Sequence, residues 1–230
     1  MISLLLTAMF AGLAASIASG IVGSYVVTKR IVFICGSIAH SVLGGIGIAV
    51  LLRQRLGIEW LSPMYGALAA AIISAFLIGW IHITYKQRED TVIGAIWAFG
   101  MAIGVIAISQ TPGYTAELVH FLFGNILWAG ARDISMLLGL DGVIIVASLI
   151  AHRRLLLVCF DEQQAHLQGL PVRLLYFLLL SMVAITTVIL VQVVGAILVI
   201  ALLTLPAAIA NTVTFRLSSM IFLAIALSAI

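Results

Sequence analysis

Charged side chains are scarce: Asp, Glu, Lys and Arg together make up 8% of the 230 residues, whereas about a quarter of a typical soluble domain is charged. With 64% of residues apolar and a mean hydropathy of +1.30, a soluble globular fold is excluded and an integral membrane protein is indicated. Segments of roughly ten residues with alternating polarity, which a membrane barrel would need, are missing, so backbone groups must be satisfied in lipid as helices. Cysteine is also sparse. Cys35 and Cys159 fall in different segments without C-x-x-C spacing, which leaves both as small apolar fillers rather than a metal or redox pair. No basic leader with a small-residue cleavage site precedes the first apolar run, which therefore reads as a spanning helix rather than a removed signal. Absent too are G-x-x-x-x-G-K-[ST], H-E-x-x-H and G-x-S-x-G. Without the first, this chain has no phosphate loop for ATP; without the others, the commonest intramembrane and hydrolytic enzymes are disfavoured. The run GGIGIA at 44–49 lies inside a span and is no dinucleotide fingerprint.

What remains is a series of long apolar runs, at 3–27, 31–52, 62–84, 92–109, 134–151, 174–191 and 194–210. A helix needs about 20 residues to cross roughly 30 Å of hydrocarbon. An eighth run, 217–230, reaches only about 21 Å at 1.5 Å per residue, so the final region is expected to be incomplete. The expected fold is all-α and polytopic, a single transmembrane domain over 1–230 with about eight spans. The first span is expected to be buried, because Gly12, Ser16, Gly20 and Ser24 recur at four-residue spacing beside Ala11, Ala15, Ser19 and Gly23.

The segment YTAELVHFLFGNILWAG, 114–130, is apolar but carries Glu117, His120 and Asn125. If it does not cross, Lys29, Arg30, Lys86, Arg88, Arg153, Arg154, Arg173 and Arg216 share one side against Arg53, Arg55 and Arg132; if it crosses, that bias disappears. The positive-inside rule favours the first arrangement, with the N-terminus outside and 114–130 at the outer surface or dipping in partway.

Between two apolar runs on the basic side lies a polar island, CFDEQQAHLQGLPV, 159–172. Asp161 is placed to N-cap a helix, Gln164 to complete a capping-box-like pair, and Phe160 to staple against Ala165. Gly169 and Pro171 stop the helix after about two turns. Such an element is either an interfacial linker or a docking helix for a partner on that side.

The segment FDEQQAHLQGLPV resembles the F-D-x-E-x-A-x-x-x-G coupling segment of the ABC-transporter permeases that import zinc, manganese or iron. GSIAHSVLGGIGIA, 36–49, is similar to that family's S-I-x-H-A-V-L-P-G motif, and VGAILVIALLTLPAAIA, 194–210, to V-G-x-L-L-V-x-A-L-L-x-x-P-A-A-x-A, with Gly195 and Pro206 in register. REDTVIG and FLFGNIL are weaker matches in the expected order. There are departures: Gln163 stands where the family usually has Glu, and Gly44 where it often has Pro. The resemblance covers nearly the whole chain, and the family's chains continue beyond this C-terminus. It implies a transport subunit in a bacterial-type cytoplasmic membrane, paired with a second permease copy, cytoplasmic ATPase subunits docked through Phe160, Asp161, Glu162, Ala165 and Gly169, and an extracytoplasmic metal-binding protein. No permanently bound cofactor and no nucleic acid are implied; a divalent metal is the cargo. This chain itself would not be an enzyme, since ATP is hydrolysed on the partner.

His40, near the middle of the second span, has Gly36 and Gly44 on the same helical face, and neutral imidazole is a common ligand for divalent transition metals. Either it lines a metal path or it is a packed histidine bonded to another helix. Asp141, in the run Gly-Leu-Asp-Gly, is the carboxylate expected deepest in the bilayer, either an oxygen ligand or partner for His40 or a site of local unwinding. Glu117 and His120, three apart on one outer helical face, either meet arriving metal or form a solvated face. Asp90 is expected to N-cap the fourth span, and His82, His152 and His166 to be solvated near helix ends. The rival reading is a stand-alone secondary transporter or channel, with His40 and Asp141 as an ion or proton site and the polar island as a linker.

Overall fold

The computed structural model describes residues 2–58, 60–85, 89–111, 121–124 and 131–229. Within them run the helices α1 (Ile2–Lys29), α2 (Val32–Leu56), α3 (Pro63–Tyr85), α4 (Glu89–Ser109), α5 (Ala131–Phe160), α6 (Glu162–Leu167), α7 (Val172–Val194), α8 (Ala196–Val213) and α9 (Leu217–Ser228). Seven are long and apolar enough to cross a membrane, while α9 is a shorter apolar helix of 12 residues. The protein is an all-α polytopic membrane protein, as composition requires.

Boundaries follow local chemistry. Gly57, in the left-handed region, ends α2, and Pro63 opens α3, where its missing N–H costs nothing. Two expectations need correction here. The fifth span, expected at 134–151, continues to Phe160, because Leu155, Val158 and Cys159 stay buried while Arg153 and Arg154 face outward, so the amphipathic period persists past the charges. Asp90 lies inside the first turn of α4, which begins at Glu89, so it faces the positive end of the helix dipole instead of capping it.

Two groups of helices emerge from the packing. In one, α2 packs against both α3 and α4; in the other, α1 packs against α5, α8 and α9. Between them runs α7, touching α1, α2, α3, α5 and α8. Missing side chains set the spacing: a Cβ at Gly44 would fall 2.8 Å from the Gly100 carbonyl oxygen, and one at Gly20 would fall within the backbone of Ile225 on α9. Ser37 on α2 donates to the Ile93 carbonyl of α4 at 2.8 Å, and Ser74 on α3 to Ser41 on α2 at 2.8 Å. Elsewhere hydroxyls turn back on their own helix: Ser24, Thr28, Ser181 and Thr204 each donate to the carbonyl four residues earlier. Small residues thus bury α1 as the spacing predicts.

Candidate functional site

The polar island folds into α6, joined to α5 by one residue. Asp161 adopts extended backbone, φ −150° and ψ 100°, and its side chain accepts from the Gln164 N–H at 2.9 Å. Its own N–H goes to the Leu157 carbonyl at 2.8 Å, which is the bond that a reciprocal capping box would have given to Gln164. At the other end Gly169 has φ 74°, its N–H donates to the His166 carbonyl at 3.0 Å, and the Leu170 N–H donates to the Ala165 carbonyl at 3.1 Å. That pair of bonds is a Schellman end, which favours glycine because a side chain there strains the backbone. Ala165 is fully buried, but not beneath the expected staple: Phe160 is left 68% exposed, and Leu167 is 88% exposed. Glu162 meets Lys29 of α1 at 2.5 Å. Beside α6 opens a cleft of about 860 Å³, lined by His82, Glu162, His166, Pro171, Arg173 and Tyr176 among others.

His40 lies on α2 with its ring stacked on Trp97 of α4, centroids 4.2 Å apart and planes 12° from parallel. The neighbours along this histidine's face are close: Gly36 adjoins Ile200 and Trp97, and Gly44 backs onto Gly100. Among the described residues His40 Nδ1 is buried without a hydrogen-bond partner. Alongside, between α2, α3 and α4, runs an apolar groove of about 1010 Å³ that includes Ser41, Gly44, Gly66, Ser74, Phe99 and Gly100.

Asp141 is 4% exposed, and its Oδ1 likewise has no partner among the described residues. It sits in an unbroken α5, so Gly139 and Gly142 do not unwind the helix around it. Since α5 packs against α1 and α7 while His40 belongs to the α2–α4 pair, the structure does not bring the two together as a ligand pair. Among the described residues no three His, Cys, Asp or Glu side chains cluster as a metal site. Glu117 and His120 lie outside the described residues, as does most of 114–130.

Gly195 and Pro206 lie at the start of α8 and within it. Gly195, φ 81° and ψ 160°, forms the joint between α7 and α8 and lies against the backbone of 122–124, so both conformation and space exclude a side chain. Pro206 is buried inside α8.

The sequence profile of the ABC 3 transport family matches residues 1–230. The chain belongs to the ABC 3 transport family. It is similar to a probable metal transport system membrane protein of Chlamydia muridarum (strain MoPn / Nigg), with 48% identity over 221 residues, covering 96% of this chain and 75% of that one. To the manganese transport system membrane protein MntC of Halalkalibacterium halodurans it is 31% identical over 222 residues, covering 96% and 74% of the two chains. Its fold superposes on a chain of PsaBC from Streptococcus pneumoniae, solved in complex with Fab, with a TM-score of 0.84 and 31% identity, covering 98% of this chain and 79% of that chain.

For this member of the ABC 3 transport family, sequence reasoning missed four side chains near the candidate site. Trp97 had no polar signature, and Lys29 counted only as a topological charge. His152 was expected to be solvated, yet its Nδ1 lies 2.7 Å from the hydroxyl of buried Tyr25 and its Nε2 3.2 Å from the Ser218 hydroxyl. Tyr25 had no mark beyond a hydroxyl in an apolar run.

Proposed function

We propose that this chain is the permease subunit of an ATP-driven importer of divalent transition-metal ions, acting over 1–230 as one domain and working as a dimer with two cytoplasmic ATPases. The observation that carries this reading is α6, a two-turn helix closed at both ends by its own residues, with Phe160 and Leu167 presented outward. A linker needs neither cap nor exposed apolar side chains; a rigid knob for another protein needs both. Phe160, Asp161, Glu162, Ala165 and Gly169 are therefore assigned to ATPase docking, and the end of the bundle that carries them to the cytoplasm, with the N-terminus outside.

In this mechanism an extracytoplasmic binding protein delivers the ion near Glu117 and His120. His40 offers a neutral nitrogen to it within the span, and Asp141 a buried carboxylate on the other helix group. ATP-driven closure of the ATPases displaces α6 and switches the bundle between outward-open and inward-open states. Nucleotide moves that equilibrium only by as much as it binds one state better than the other. The relatives named for manganese make Mn²⁺ the first ion to test, with Zn²⁺ and Fe²⁺ beside it.

Co-expression with the ATPase from the same genomic neighbourhood tests the reading, with wild-type chain and Ala165→Pro, which deletes the Ala165 N–H bond to the Asp161 carbonyl. The wild type is expected to co-purify with the ATPase and to support nucleotide-dependent uptake; the variant is expected to lose both while remaining folded. Uptake independent of any ATPase would overturn the proposal in favour of a stand-alone transporter.

A further inference from the structure

A helix of two turns, joined to α5 by one extended residue and to α7 by residues 168–171, tilts about that single residue when pushed. The hinge lies between Phe160, the end of α5, and Glu162, the start of α6, at extended Asp161, whose N–H closes the ladder of α5 on Leu157 and whose carbonyl opens that of α6. Lys29 spans it. Its Nζ donates to the Val158 carbonyl at 3.1 Å on the near side, one of the last-turn carbonyls a helix leaves without an internal donor, and pairs with the Glu162 carboxylate at 2.5 Å on the far side. Among the described residues this is the one salt bridge, and it is partly withdrawn from water, with side chains 16% and 41% exposed.

Lys29 is itself anchored. It is the last residue of α1, and the chain turns sharply after it: Arg30 has φ 63°, and the Ile31 N–H reaches back to the Val26 carbonyl at 3.1 Å. One helical turn earlier on the same face, the Tyr25 hydroxyl lies 3.2 Å from the Ser148 hydroxyl and 2.7 Å from His152 Nδ1, both on α5. So α1 is bonded to α5 at two levels and to α6 at one, and it packs on α7, α8 and α9.

Resting on the reading of α6 as the docking helix, we propose that Lys29 is a positioning residue for energy coupling: it fastens the docking helix to the first transmembrane helix, so that displacement of 162–167 is delivered into α1 and the bundle and not lost as rotation at Asp161. The ion pair acts as a strut across the hinge, and the Tyr25–His152 bond keeps the strut's base from sliding along α5.

The test uses the full permease with its ATPase and binding protein in proteoliposomes, and reads ATP hydrolysed per ion delivered, with whichever of Mn²⁺, Zn²⁺ and Fe²⁺ the wild type carries. Lys29→Met is expected to keep the ATPase bound but to raise that ratio about fivefold or more, the lower range of a typical coupling energy. Lys29→Arg, which keeps both donations, is expected to stay near the wild-type ratio. Lys29→Ala gives a second route to the same loss should Lys29→Met fold poorly. A wild-type ratio in both folded single variants overturns the proposal, as does loss of ATPase binding in Lys29→Met, which would make Lys29 part of the docking surface. The two readings separate through Ala165→Pro: if that variant keeps ATPase and uptake, docking falls and this proposal with it; if it loses them while Lys29→Met is normal, only the strut falls.

Discussion

His40 and Trp97, on neighbouring helices, share a stacked contact with ring centroids 4.2 Å apart. The stack holds the imidazole by its face and leaves the ring edge, with Nδ1, free of any hydrogen bond among the described residues. A histidine held this way is oriented without Nδ1 being used. That is the state in which an imidazole can take and release a passing cation.

Trp97→Ala is therefore expected to lower uptake of Mn²⁺ several-fold by freeing the ring, consistent with a stacking contribution of about 1 kcal/mol. Trp97→Phe should retain most of the activity, and His40→Ala should lose more than either. Initial uptake rates in cells depleted of the native permease give the comparison; equal rates for Trp97→Ala and wild type would end the orienting role.

Caps govern α6. Asp161→Ala removes the bond to the Gln164 N–H and is expected to cost about 1 kcal/mol of helix stability, while Asp161→Asn costs much less. Gly169→Ala meets no neighbouring atom within 4 Å but must hold φ 74°, also a penalty of about 1 kcal/mol. Each should weaken ATPase binding by up to about tenfold, readable as the dissociation constant of purified ATPase for detergent-solubilised permease.

Backbone proximity predicts a contrast within one helix. A Cβ at Gly100 would lie 2.5 Å from the Ser41 Cα of α2, whereas one at Gly94 meets nothing within 4 Å. Gly100→Ala should force α2 and α4 apart at about 1–3 kcal/mol, and Gly94→Ala should be neutral or mildly stabilising. Thermal aggregation midpoints of the two purified variants decide it; similar midpoints would contradict the close approach.

Asp141→Asn keeps the side chain's shape and removes its charge. If the carboxylate serves the ion, uptake falls while the yield of monodisperse protein is unchanged. Should uptake persist, Asp141 leaves the ion path and its burial is only a matter of packing.

Legibility tracked how local the causes were. The caps at Asp161 and Gly169 were readable because each acts within a few residues of its own helix, and the spans because their lengths answer to bilayer thickness. The end of α5 was not, since stopping it at Ala151 treated Arg153 and Arg154 as a boundary, while the burial of Leu155 and Val158 depends on where α1 passes. His152 was misread for the same reason: its partners Tyr25 and Ser218 come from two other helices. Gly-Leu-Asp-Gly suggested a break at Asp141, yet neighbouring turns keep the helix whole. The Phe160 staple failed where a local rule met an outward-facing surface.

The hydroxyls that fold back on their own helices have one more effect. Ser24 and Thr28 of α1, Ser181 of α7 and Thr204 of α8 keep their protons on carbonyls that travel with them, so none is tied to the helix next door. Where such faces meet, one helix can glide past another without breaking a polar bond in a medium that offers no water to replace it. Resistance to sliding at these four positions comes from side-chain shape alone, which leaves them greased for movement, while α1 as a whole is held to α5 through Tyr25 and to α9 through Ser16 and Ser19, and the α2–α4 contact, with Ser37 bonded across it, stays locked.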